Sequence, residues 1–85
     1  TKAFAIEWGK ANIRVNTICP TFILTDLTKA TFEQSDKRAW IENKIKLGRV
    51  GEVKDIMGAV VYLASDAAAL VTGSALMIDG GWTAE

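Results

Sequence analysis

The sequence predicts an α/β fold organised on a parallel sheet, and two features carry that expectation. One is the run Ile13-Arg14-Val15-Asn16-Thr17-Ile18-Cys19, rich in β-branched residues and alternating along its length, which stops at Pro20. The other is a strand-helix-strand order. After this run come an amphipathic helix over residues 53–64 and the continuously apolar Ala75-Leu76-Met77-Ile78, the mark of a strand covered on both faces. Such a crossover is right-handed and sets its two strands parallel in one sheet.

The elements follow in order. Residues 1–8 hold strong helix formers and place Phe4 and Trp8 on one face at i, i+4, while Gly9 and Lys10 supply stop signals. With no start signal before it, this helix reads as the end of one that begins upstream. The strand over 13–19 finishes at Pro20, which has no backbone donor for a ladder. From 25 to 47 the sequence turns polar and mixed, with Asp36 as the cap of a helix carrying Trp40, Ile41 and Ile45 toward Leu47. A stretch of that length between regular elements is expected to act as a lid. Gly48-Arg49-Val50-Gly51-Glu52 reads as a turn, and Val53, Ile56, Met57, Val60, Leu63 and Ala64 then recur at the spacing of a helix face. Ser65 and Asp66 end that helix, Thr72-Gly73 redirects the backbone, and Asp79-Gly80-Gly81 closes the last strand. Two strands are barely a sheet, so neighbouring strands and covering helices are expected outside this sequence.

Size and composition point the same way. A chain of 85 residues makes one small domain at most, and at that size only roughly 60% of the unfolded surface is buried. Its dense apolar set, with Trp8, Trp40, Trp82, Phe4, Phe22 and Phe32, suits a piece of a larger body. Ten basic and ten acidic side chains cancel and are interspersed, which argues against nucleic-acid or membrane-surface partners. Cys19 is the single cysteine and there is no histidine, so neither an internal disulfide nor a metal site is expected, and a reducing, cytoplasmic setting follows. The longest apolar run, 56–64, falls far short of the ~20 residues of a membrane-spanning helix.

The expected place for chemistry is the loop beyond Pro20, because ligands of α/β sheets bind outside the carboxyl ends of the strands. The succession Ile13-Arg14-Val15-Asn16, Pro20-Thr21-Phe22-Ile23-Leu24-Thr25, Gly48-Arg49, Ala64-Ser65-Asp66, Thr72-Gly73 and Asp79-Gly80-Gly81 resembles the carboxyl-terminal part of the short-chain dehydrogenase/reductase family, in order and spacing, over nearly the whole chain. Within that family it looks like the 3-oxoacyl-carrier-protein reductases or the sugar dehydrogenases. The resemblance implies a Rossmann-type doubly wound parallel sheet, here contributing helix, strand, helical lid, helix and strand. It implies hydride transfer between NAD or NADP and a small-molecule carbonyl or secondary alcohol, and a homo-oligomer or a missing amino-terminal part as partner.

The family's glycine-rich cofactor turn and its Ser and Tyr-x-x-x-Lys group are absent here. Lys2 has no Tyr four residues before it, and Tyr62 lies on the late amphipathic helix, so neither is assigned a catalytic role. The chain alone is therefore expected to be inactive and to bind no cofactor tightly. What the resemblance does place here is the cofactor-side loop, Pro-Gly-x-x-x-Thr in the family: Pro20, Ile23 and Thr25 match it, and Thr21 takes the glycine position. A β-branched residue makes positive φ costly, so Thr21 must have ordinary backbone if the loop keeps its shape. Read without the family, 20–25 is a plain strand-end turn. Phe22, Leu27, Phe32 and Trp40 are candidates to line a substrate lid, with core or interface packing as the alternative for each. Asn16 reads as a buried amide satisfied by backbone, Arg49 as a structural hydrogen-bond donor near a turn, and the closing glycines as bends that need no ligand. A rival to the enzyme reading is a noncatalytic folding or interaction module that self-associates to cover its open strand edge and apolar faces.

Overall fold

A computed structural model describes residues 1–84. Helix α1 covers Lys2–Trp8 and runs into a 3₁₀ turn, Gly9–Ala11. Asn12 ends it in the left-handed conformation (φ 60°), a region that asparagine enters more readily than most residues, and the Ile13 amide donates back to the Trp8 carbonyl at 3.2 Å. The Phe4 and Trp8 rings stack at 4.8 Å, as their i, i+4 spacing implies.

Strand β1 is Thr17–Pro20, four residues shorter at its start than the β-branched run suggests. The reason is competition for hydrogen bonds. Val15 gives its amide to the Thr72 hydroxyl (3.1 Å) and its carbonyl accepts from the Gly73 amide (2.8 Å). The Asn16 side chain donates to the Val71 carbonyl (2.9 Å) and accepts from the Ser74 amide and hydroxyl (3.1 and 2.7 Å). These bonds tie residues 15 and 16 to the approach of the last strand rather than to a ladder, and Asn16 is the satisfied amide its sequence context predicts, though half-buried rather than buried and bonded to the Ser74 hydroxyl as well as to backbone. Strand β4, Ala75–Ile78, then pairs parallel with β1, Thr17 opposite Ala75 and Pro20 opposite Ile78. Pro20 donates nothing, yet the ladder outlives it: the Thr21 amide donates to the Ile78 carbonyl at 3.2 Å.

Between them lies an excursion with a small ladder at its base. Strands β2 (Ile23–Leu24) and β3 (Gly51–Glu52) pair parallel. Residues 48–52 are thus a turn only in part, with Gly48 at φ 78°. Helices α2 (Lys29–Glu33) and α3 (Ser35–Lys44) fill the excursion. Asp36 is not the cap of α3: Gln34, in extended backbone, holds that position, and Asp36 stands in the first turn. A carboxylate there still meets the positive end of the helix. Phe32, Ile41, Ile45 and Val50 bury one another, with Trp82 packed against them.

Helix α4, Val53–Ala64, has the bounds the periodicity predicts and begins with a reciprocal capping box between Glu52 and Asp55. It lies against β1 and β4 on the side of Ile18, where Val60, Leu63 and Ala64 meet Asn16 and Ile18. The cover on both faces expected for the last strand is not supplied within this chain: Leu76 is 37% and Met77 53% exposed. Each long strand has one strand neighbour here, and α4 covers one face only. The radius of gyration, 15.7 Å, exceeds the about 12 Å of a compact domain of this length, as suits a chain whose apolar faces need other cover. Among the described residues no helix is long and apolar enough to cross a membrane, and no group of His, Cys, Asp and Glu could hold a metal ion.

Candidate active-site loop and its cleft

Side chains alternate along a strand, and register partners share a face. With Ile18 turned to α4, Cys19 and its partner Met77 face the other way. They floor a cleft of about 460 Å³ whose remaining walls are Pro20, Thr21, Phe22, Asp79, Trp82 and Thr83. It therefore sits at the carboxyl ends of both long strands, the position at which open α/β sheets bind ligands. Three of the loop residues singled out in the sequence, Pro20, Thr21 and Phe22, meet here.

Thr21 has ordinary backbone, since Asn12 is the one non-glycine with positive φ among the described residues. The loop thus keeps a strand-like course without the family's glycine. Ile23 and Thr25 lie one step further on, at the base of the excursion. The Thr28 hydroxyl donates to the Ile23 carbonyl (2.7 Å) and accepts from the Thr25 amide (2.8 Å), with the Thr25 hydroxyl 3.3 Å away. This closes an ST-type turn that fixes how the chain leaves the strand.

The four residues proposed for a lid are not equivalent. Phe32 is 3% exposed and belongs to the small core of the excursion. Phe22 meets Phe32 edge-on at 6.3 Å and Trp82 at 5.6 Å, and Trp40 meets Trp82 edge-on at 6.0 Å. Phe22 and Trp40 also share an apolar hollow of about 410 Å³ with Asp36, Lys37 and Ile41. Leu27 stands apart, 95% exposed.

The sequence reading missed Trp82, the ring that joins Phe22 to Trp40. Its position is set by Asp79, whose carboxylate accepts from the Gly81 amide (3.0 Å), the Thr83 amide (3.2 Å) and the Thr83 hydroxyl (2.6 Å). Those bonds, the Thr83 hydroxyl foremost, hold the Asp79 carboxyl below its ordinary pKa. The turn also grips the end of the excursion: the Leu47 amide donates to the Gly80 carbonyl at 2.9 Å. An aromatic directly after a glycine pair was the available signal.

Arg49 is bound on the far side of Thr21. Its guanidinium forks onto both oxygens of Asp55, at 2.8 and 3.0 Å, while Asp55 also accepts the Glu52 amide at 2.8 Å. The Arg49 bond and then the Glu52 amide hold the Asp55 carboxyl far below the usual carboxylate range. Arg49 is thus the structural donor its sequence context predicts, locking the return of the excursion to the start of α4. Tyr62 lies on α4, its carbonyl accepting from Ser65, and Lys2 opens α1.

The sequence model of a family described as enoyl-(acyl carrier protein) reductase matches residues 1–83. D-erythrulose reductase of Gallus gallus is 42% identical over 82 residues, covering 96% of this chain and 33% of its own length. L-rhamnose 1-dehydrogenase (NAD(P)(+)) of a Sphingomonas species is 47% identical, covering 91% of this chain and 30% of its own. Among solved structures, 4-hydroxyisoleucine dehydrogenase complexed with NADH superposes with a TM-score of 0.96 at 45% identity, over all of this chain and 35% of that one. A short-chain type dehydrogenase/reductase from Mycobacterium ulcerans does so at 0.94 and 37% identity, over 99% of this chain and 30% of that one. The chain spans about a third of the length of these relatives. It belongs to the short-chain dehydrogenase/reductase family.

Proposed function

We propose that this chain is the carboxyl-terminal segment of an NAD(P)-dependent oxidoreductase that interconverts a carbonyl and a secondary alcohol. It supplies the cofactor-side loop (Pro20, Thr21, Ile23, Thr25), a substrate lid over 25–47 with Phe22 at its root, and an oligomer surface. The observation that carries this reading is the cleft at the paired ends of β1 and β4, with the excursion rising from its rim.

The residues fit the nicotinamide end of such a cofactor. Pro20 and Phe22 offer apolar walls, the Ile23 carbonyl keeps a second lone pair after accepting from Thr28, and Thr25 carries a hydroxyl beside it. When bound, the cofactor supplies the hydride. The chain's own part is to hold one face of the nicotinamide and to shed water from the other through Phe22 and Trp40. Proton transfer falls to a Tyr-x-x-x-Lys pair outside these 85 residues, so the isolated chain is inactive.

The test uses the full-length protein. Reduction of small ketones and ketoses with NADH or NADPH is expected, and Thr25→Val is expected to weaken coenzyme binding roughly 2- to 12-fold, the worth of one hydrogen bond. Turnover by a verified 85-residue preparation contradicts the reading. A noncatalytic, self-associating module is favoured by one observation, the exposure of Leu76 and Met77 on the open sheet. A full-length protein that binds neither coenzyme but sediments as an oligomer through this surface would support that alternative.

A further inference from the structure

The last turn of the chain closes on itself. The Asp79 carboxylate accepts from the Gly81 amide, the Thr83 amide and the Thr83 hydroxyl. Backbone bonds from the Trp82 amide to the Asp79 carbonyl and from the Ala84 amide to the Gly81 carbonyl, each 3.1 Å, complete a small knob. That knob seats in the excursion. Trp82 packs against the core of Phe32, Ile41, Ile45 and Val50 and meets Trp40 edge-on. Ile45 and Lys46 lie where a Cβ on Gly80 or Gly81 would stand, and the Leu47 amide donates to the Gly80 carbonyl.

Two residues beyond Leu47 the excursion is anchored elsewhere, by the fork of Arg49 onto Asp55 at the start of α4. Between seat and anchor stands Gly48 at φ 78°, where a Cβ meets nothing within 4 Å, so this glycine serves a backbone angle and no close contact. The front of the excursion is anchored too, by the Thr28 hydroxyl on Ile23 and Thr25. Residues 29–47 can therefore leave the knob by turning at Gly48, with both anchors and the bonds inside the knob kept.

Resting on the proposed reading of 25–47 as a substrate lid, we infer that the closing turn, residues 79–84, is the latch of that lid. Trp82 and the Gly80 carbonyl hold the lid down, and it admits substrate by leaving them. Trp82 is then a positioning residue, acting on the reaction through Trp40 and the core of the excursion. A latch of this kind gates: closing retains the substrate and opening releases the product.

The experiment uses the full-length protein and compares the parent with Trp82→Ala and Trp82→Phe by calorimetry with NADH and NADPH, amide hydrogen exchange, and the kinetics of 2,3-butanedione reduction. In Trp82→Ala the amides of Leu47 and α3 are expected to exchange faster, relative to those of α4, by roughly 2- to 12-fold, the worth of the Trp40 contact alone. KM is expected to rise at least about 2-fold with kcat held or raised, because a looser lid retains substrate less and releases product sooner. Trp82→Phe is expected to recover most of both effects. Should Trp82→Ala not fold, Trp82→Leu, which keeps apolar bulk without a ring, is read in the same way. Exchange that quickens equally in α3 and α4, or in neither, overturns the inference; a role confined to packing gives the first and lowers kcat without moving KM. Faster exchange of α3 with an unchanged KM overturns it too, since Trp82 then holds a segment that gates nothing. These failures occur in a protein that binds its coenzyme. A parent that binds neither NADH nor NADPH overturns the oxidoreductase reading, and the latch with it.

Discussion

Replacing Gly80 with alanine tests the joint between the closing turn and the end of the excursion. Gly80 has φ 59°, and a Cβ there stands 2.5 Å from Ile45 Cγ2 and 3.7 Å from Leu47 Cβ. A left-handed non-glycine residue costs about 1–2 kcal/mol, and overpacking a filled site about 1–3. The methyl of a β-branched side chain cannot swing aside as a long chain end does, and Ile45 is only 2% exposed, so little relief is available. Together these terms make roughly 2–5 kcal/mol, which for a protein of roughly 150–250 residues lowers Tm by about 4–20 °C. Thermal unfolding of the full-length protein reads this directly. Ile45→Ala costs about 2–5 kcal/mol alone. Because it removes the clashing methyl, the double variant should lose less than the sum by about 1–3 kcal/mol, leaving the φ strain in place. A Gly80→Ala variant within about 0.5 kcal/mol of the parent, or strict additivity in the double variant, refutes the reasoning.

Two further outcomes follow from the hydrogen bonds. Asn16→Ala removes three bonds that tie β1 to the approach of β4, so stability in urea should fall by roughly 1.5–4.5 kcal/mol; a drop within about 0.5 would mean that water replaces the amide at no cost. Asp55 is held below its unfolded pKa, so its contribution is complete above the unfolded value near 4 and fades as pH falls through the folded one. The gap in urea midpoint between the parent and Asp55→Asn should therefore be constant from neutral pH down to about 4 and close below it. A gap as wide in strong acid as at neutrality would show that Arg49 and the Glu52 amide do not hold that carboxyl ionised.

Periodicity made part of this molecule legible and left the rest dark. Helix α4 keeps one apolar face for three turns and was readable to the residue. β1 and β4 announced themselves by β-branched and unbroken apolar runs, although the side chain of Asn16 and the backbone of Val15 shortened the first. α3 carries Trp40 and Ile41 amid Lys, Arg, Asp, Glu and Asn, so its position could be read but its start could not. α2 and the paired β2 and β3 are too short for any period to register.

The cleft was harder still, because two chain-distant segments line it, a third braces them, and backbone bonds join all three. Thr21 donates to Ile78, Gly51 to Phe22, and Leu47 to Gly80. Peptide groups look alike in every sequence, so such joints leave one trace only, the glycines that let the strands of chain approach. A Cβ on Gly51 meets Ile23 Cδ1 at 2.5 Å, and one on Gly81 meets Lys46 Cβ at 2.8 Å. Gly80 and Gly81 are the bends they read as, with φ of 59° and 92°, and they are marks of close contact as well, with partners far away along the chain. Trp82 inherits its place from the same joints: the turn that Gly80 and Gly81 allow, pinned by Asp79, brings the indole onto Phe22 and Trp40. A closing turn that satisfies its own hydrogen bonds gave no local reason to expect a site, and only the packing of the excursion against it supplies one.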